Sequence, residues 1–140
     1  MYIINSSADN SGSEKTDFPQ TISKQRKILF FIPSLAGGGA ERVLINLLNR
    51  VDYSKYEISV CIGVNEGIYT KELPNKVNTI VLFRNRFIEK LAILFHRHLN
   101  IRVLPKMIID RKVRGNFNTG ISFIDGYYTD FMLTISARIE

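Results

Sequence analysis

The sequence predicts a doubly wound α/β sheet with parallel strands, and three observations predict it. Short apolar runs alternate along the chain with segments of helical period. The first of those runs is nearly all apolar, as in a strand covered on both faces. A glycine-rich turn, Pro33 to Gly39, joins that run directly to a helical segment.

The chain has 140 residues. Residues 1–24 are rich in Ser, Asn, Asp, Thr and Gly and read as a flexible N-terminal extension, with structure beginning near Lys27. Lys27 to Ile32 is the first strand, ended by Pro33. Ala40 to Arg50 carries Val43, Leu44, Leu47 and Leu48, a spacing that gives one apolar helix face. Tyr56 to Ile62 alternates through Ile58, Val60 and Ile62 as a second strand, Gly63 to Lys71 reads as a loop, and Val77 to Phe83 is the third strand. Strand, helix and strand in this order imply parallel pairing.

Phe87 to about Val103 has helical period, with Phe87, Leu91, Leu94, Phe95 and Leu99 on one face. Pro105 predicts a kink or break near Leu104, because the residue before proline avoids helical angles. Lys106 to Arg114 is a second helical piece and Gly115 to Asn118 a turn. Thr119 to Ile124 is a fourth strand, and Tyr128 to Ile139 a closing helix. Residues 25–140 thus make one domain, an incomplete version of the doubly wound architecture, since more strands would normally follow.

Composition narrows the function classes. At 45% hydrophobic residues the chain can bury a core, yet it has no apolar run of the roughly 18 residues needed to span a bilayer. The first residues contain no apolar signal-peptide core. Cys61 is the sole cysteine, so no intrachain disulfide forms, which fits a cytoplasmic protein. The net charge of +6 is concentrated: Arg84 to Arg114 holds nine Lys/Arg and two Asp/Glu, and the remainder is close to neutral. That segment is either a solvated helix face or a surface for phosphate, an anionic membrane or nucleic acid.

Chemistry is expected beyond the carboxyl ends of the strands. There Gly37, Gly38 and Gly39 can adopt positive φ and bring backbone N–H groups toward a ligand, with the positive end of the following helix aimed at the same spot. Ser34 adds a hydroxyl, and Glu41 lies in the first helical turn. The alternative is a tight turn without a ligand, but three consecutive glycines exceed what a turn requires. The pattern is no dinucleotide fingerprint, because Arg42 stands where a glycine or alanine belongs and Cys61-Ile62-Gly63 offers no acidic residue. Nor is it a P-loop, since no Gly-Lys-Ser/Thr follows. Asp125, after the fourth strand, is either a functional carboxylate or a helix N-cap, and the cap is preferred.

Other constellations fall away. His96 and His98, two apart, do not share a helix face, so no metal site is expected. No Ser/His/Asp arrangement can be assembled, and Cys61 reads as core packing. The helix with Arg84, Arg86, Lys90, Arg97 and Arg102 around Phe87, Leu91, Leu94 and Phe95 resembles an interfacial helix, but its stripe can equally pack on the sheet; the core reading is preferred. No nucleic-acid module is recognisable.

The stretch KILFFIPSLAGGGAERVLINLL, Lys27 to Leu48, resembles the opening of the glycosyltransferase family 4 proteins, retaining enzymes of the GT-B fold that use nucleotide-sugars. YEISV from Tyr56 and FNTGISF from Phe117 resemble later strands of that family, so the likeness covers about residues 25–140. The resemblance implies a Rossmann-like N-terminal half of a GT-B fold, facing a C-terminal domain across a cleft. It implies a nucleotide-sugar donor, a sugar or lipid-linked acceptor hydroxyl, and a role in polysaccharide or glycolipid synthesis. It implies that Gly38 and Gly39, then Gly37, approach the donor phosphates or the acceptor; the reading of the residues adds Ser34 and Glu41 beside them and offers Asp125 for the acceptor side. The paired glutamates of the family lie in the C-terminal domain, so no catalytic residue is assigned here and this chain alone is not expected to transfer sugar. Neither cofactor nor metal is implied. The remaining expectations are a C-terminal domain as partner chain, an anionic membrane surface met by Arg84, Arg86 and Lys90, and a location in the cytoplasm, peripheral at the inner face of the membrane. The rival reading is a non-catalytic binding module for an acceptor, a membrane surface or a partner chain.

Overall fold

Five strands form one sheet in the order β1-β5-β2-β3-β4. The structure, a computed structural model, describes residues 2–5, 25–99, 103–124 and 127–134. The strands are β1 (Tyr2–Asn5), β2 (Arg26–Ile32), β3 (Tyr56–Val64), β4 (Asn78–Phe83) and β5 (Thr119–Ser122). The helices are α1 (Gly39–Leu48), α2 (Arg86–Leu99), α3 (Val103–Lys112) and α4 (Tyr127–Thr134), and a 3-10 turn spans Ile68–Glu72.

β2 lies between β3 and β5 and is parallel to both, and β3 is parallel to β4. Counting the parallel strands alone, the order is 3-2-1-4, so the chain reverses its direction of winding beside β2, as in Rossmann-like sheets. The predicted α/β fold with a parallel, doubly wound sheet is therefore present.

β2 is apolar on both faces because both faces are covered. Leu29 and Phe31 enter a core with Cys61, Leu82, Ala92, Val113, Phe117 and Met132. Phe30 and Ile32, pointing the other way, enter a core with Leu35, Leu44, Leu48, Ile58, Val60 and Ile62. Each such side chain contributes about 1.5–3 kcal/mol when fully buried. Helices α2, α3 and α4 thus cover one face and α1 the other.

Several expectations change. Structure does not wait until Lys27: Tyr2–Asn5 forms an edge strand, antiparallel to β5, with Tyr2 opposite Ser122 and Asn5 opposite Thr119. Its four residues are too few to carry a periodic signal, and its partner lies at the far end of the sequence; the rest of the N-terminal extension lies outside the described residues. On α1, Leu44, Ile45 and Leu48 are buried with Glu41, whereas Val43 and Leu47 are exposed. The apolar face is rotated from the one predicted. On α2, Phe87, Leu91, Leu94 and Phe95 are exposed, and the sheet takes Ala92 and Glu89 instead, so the stripe is not core. Pro105 sits in the first turn of α3, where its missing N–H has no helical acceptor to lose, and α2 has already ended at Leu99. The loop after β3 contains the 3-10 turn.

β4 is the other edge of the sheet. Lys112, at the end of α3, donates from Nζ to the Val81 and Leu82 carbonyls at 2.8 Å each. A lysine placed over strand carbonyls also discourages another strand from adding there.

Candidate functional site

The glycine turn stands at the carboxyl end of β2, next to the reversal of winding. Its entrance is pinned by backbone hydrogen bonds. Val64 N–H donates to the Pro33 carbonyl (2.9 Å), Leu35 N–H to the Glu66 carbonyl (3.1 Å) and Tyr69 N–H to the Leu35 carbonyl (3.2 Å). Leu35 is fully buried, so the turn hangs from an apolar anchor.

The three glycines do three different things. Gly37 has φ +126°, which L side chains rarely adopt, and a Cβ there would lie 3.1 Å from Ile68 Cδ1. Gly38 is the helix N-cap in extended backbone, φ −78° and ψ 176°, so positive φ is not its reason. A Cβ on Gly38 would lie 2.5 Å from Glu41 Oε2. Gly39 begins α1, and a Cβ on it would meet nothing within 4 Å. Of the three it alone fronts open space; the contact at Gly38 is with the far end of the flexible Glu41 side chain.

Helix α1 makes its first helical hydrogen bond from Arg42 N–H to the Gly38 carbonyl (3.2 Å). The N–H groups before it have no acceptor in their own helix, and they carry the positive end of the dipole. The anion that lies over this end is internal. The Glu41 side chain is buried, with its carboxylate against Gly38, and it makes no hydrogen bond or ion pair among the described residues. Ser34 is half-buried, and its hydroxyl makes no hydrogen bond among the described residues. Asp125 lies outside the described residues, and so do the side chains of His96, Arg97 and Arg102. His98 is exposed, and no group of acidic, His or Cys side chains able to hold a metal occurs among the described residues.

Other residues build the surroundings, and sequence reasoning gave them no part in this site. Gly67, at φ +129°, lets the loop after β3 lie directly on the backbone of Leu35 and Ala36. Arg42 reaches across to the 3-10 turn, where it pairs with Glu72 at 2.8 Å and sits 5.2 Å over the Tyr69 ring. Arg86, from the start of α2, pairs with Glu66 at 2.8 Å; that carboxylate holds the guanidinium pKa above its ordinary value. Gly63 is glycine because the Tyr128 hydroxyl and the Pro33 carbonyl occupy the place of a Cβ. Tyr128, from α4, donates its hydroxyl hydrogen bond to buried Glu89 of α2. The ends of β2 and β3 and the starts of α2 and α4 therefore meet in one polar cluster at the carboxyl edge. A glycine closing an apolar strand, as at Gly63, was the one sequence signal for it.

Chemically, the turn offers unpaired amides, a free hydroxyl and a carboxylate that can be displaced. That set suits an anionic or hydroxyl-bearing ligand. In comparisons with known proteins, the chain matches no protein-family model and no curated protein.

Proposed function

We propose that this chain is the N-terminal, acceptor-side domain of a retaining GT-B glycosyltransferase resembling family 4. The whole enzyme moves a sugar from a nucleotide-sugar to the hydroxyl of a sugar or lipid-linked acceptor, in polysaccharide or glycolipid synthesis at the cytoplasmic face of a membrane. One observation carries the reading: a glycine turn at the reversal point of a parallel sheet whose last glycine, Gly39, faces open space at a helix N-terminus.

In this reading the amides of Gly38 and Gly39 face the donor phosphates and stabilise the charge that builds as the sugar leaves. Gly37 supplies the bend and Ser34 a further donor. Glu41 keeps the empty turn ordered and moves aside when phosphate enters. Asp125 serves the acceptor side. The groups that act on the sugar belong to a C-terminal domain, in the same or a separate chain, and no residue here is assigned as catalytic.

The test pairs this domain with a C-terminal donor-binding domain and measures transfer and nucleotide-diphosphate binding for the unmodified protein and Gly39→Val. Transfer falling by a factor of about 100 or more, with an unchanged circular dichroism spectrum, is the expected result. Unchanged turnover in Gly39→Val removes the turn from the mechanism. Ligand binding without transfer in any pairing favours a binding module instead.

A further inference from the structure

β1 breaks the direction of the sheet. β2, β3, β4 and β5 are parallel, and β1 alone runs against its neighbour, with Ile3 opposite Ile121 and Asn5 opposite Thr119. It occupies the outer edge of β5. Apolar cover thins toward that edge. Ile121 and Phe123 reach only the margin of the core under α1 and are half-buried, and Ile124 beyond them is 37% exposed. Phe123 rests on Phe30, with ring centroids 5.8 Å apart.

The winding of the chain says what that edge is built for. From β4 the chain crosses to β5 through α2 and α3, over the face that holds Leu82, Ala92 and Val113. That crossover steps toward the β1 edge. Crossovers between parallel strands are right-handed, so every crossover over one face steps the same way. α1, on the opposite face, steps the opposite way, from β2 to β3, as the rule requires. α4 leaves β5 over the same face as α2 and α3, through Tyr128 and Met132. A parallel strand placed by that geometry lies on the outer edge of β5, where β1 sits. The other edge of the sheet is guarded, because Lys112 Nζ takes the Val81 and Leu82 carbonyls.

We propose that the outer edge of β5 is a docking surface for an apolar β-strand of a partner chain, which adds parallel to β5 and displaces β1. Main-chain pairing supplies the affinity, and side chains of the incoming strand continue the apolar surface of Ile121 and Phe123. β1 is built to yield. It has four residues and pairs with one strand, whereas β2 has seven and lies between two neighbours. Being part of the same chain, β1 competes at an effective concentration on the order of millimolar. It therefore excludes stray strands and gives way to a longer, matched one. A second copy fits less well: the edge strands it presents are β4, guarded by Lys112, and β1, which is antiparallel. The docking does not depend on the sugar-transfer reading.

A disulfide supplies the test. Asn5 lies opposite Thr119, and opposed Cα atoms of antiparallel strands are about 4.5–5.5 Å apart, within disulfide reach. In the full chain, Asn5→Cys/Thr119→Cys locks β1 when oxidised and frees it when reduced, while buried Cys61 stays out of the exchange. Ile3→Pro releases β1 permanently, since proline removes a ladder donor. The probe is a synthetic peptide of alternating valine and threonine with a lysine at each end, carrying a nitroxide at one terminus and followed by nuclear magnetic resonance. Ile3→Pro should bind it about 10-fold or more tighter than the unmodified chain, and the double variant should bind it reduced but not oxidised. A nitroxide at the amino end of the peptide should broaden Thr119, and one at the carboxyl end Ser122. Equal behaviour of the oxidised and reduced forms overturns the proposal, and so does the reverse pattern of broadening. A dimer of Ile3→Pro that the peptide does not disperse assigns the edge to a second copy and also overturns it. If Ile3→Pro fails to fold, the oxidised and reduced forms decide alone. None of these results bears on transfer by the glycine turn, which Gly39→Val reads separately.

Discussion

At the scale of single residues, Gly37 and Gly63 are glycines the fold needs, and Gly39 is one it does not. Gly63→Ala puts a methyl group where the Tyr128 hydroxyl and the Pro33 carbonyl sit. It should cost about 2–4 kcal/mol in urea denaturation, through displacement of backbone as well as side chain. Gly39→Ala meets open space at the start of α1 and should leave stability unchanged or raise it by up to about 1 kcal/mol. In the proposed site, Glu41 is the residue that an entering phosphate would displace. Glu41→Gln removes a negative charge from the helix N-terminus, so if the turn holds donor phosphates it should tighten nucleotide-diphosphate binding by a factor of about 3–10, measured by calorimetry. The sequence showed the glycine run, but it could not divide the roles within it. That division depends on Ile68 against Gly37 and on the Glu41 carboxylate over Gly38, contacts set by the loop after β3 and by the start of α1.

At the scale of elements, the parallel strands were legible, and the short antiparallel β1 and the helix faces were not. β2 announced itself because it is buried on both sides, so nearly every position had to be apolar, and β3 through the alternation of Ile58, Val60 and Ile62. α1 offered two overlapping stripes, one through Val43 and Leu47 and one through Leu44, Ile45 and Leu48. Periodicity alone does not choose between them; the direction in which the glycine turn launches the helix does. Leu44→Ala should therefore cost about 2–5 kcal/mol, and Val43→Ser should stay within about 0.5 kcal/mol, both by chemical denaturation. α2 misled for a different reason. Its inward face carries Glu89, which hydropathy assigns to solvent, and the Tyr128 hydroxyl arriving from α4 makes that burial tolerable, with the charge of Arg86 nearby. Tyr128→Phe leaves the carboxylate without this donor and should cost about 1–3 kcal/mol, an effect reduced when Glu89 is replaced by Leu in the same protein.

At the scale of the whole molecule, the two cores share one sheet, and Cys61 lies fully buried in the middle of it. Burial pushes its thiol pKa well above the ordinary value, against a smaller downward pull from Lys112. The thiolate is therefore absent near neutral pH, and modification by a thiol reagent should be negligible in the native protein. It should proceed at the rate of opening when denaturant is titrated in, which makes the single cysteine a reporter of unfolding.

The pairing of β1 with β5 also sets an order of events. Tyr2 lies opposite Ser122, so β1 has no neighbour in the described sheet until β5 has been made. Closing a loop of that length is entropically costly unless the four parallel strands already hold β5 in place. Of the five described strands, β1 is thus made before the other four and yet can pair only after them.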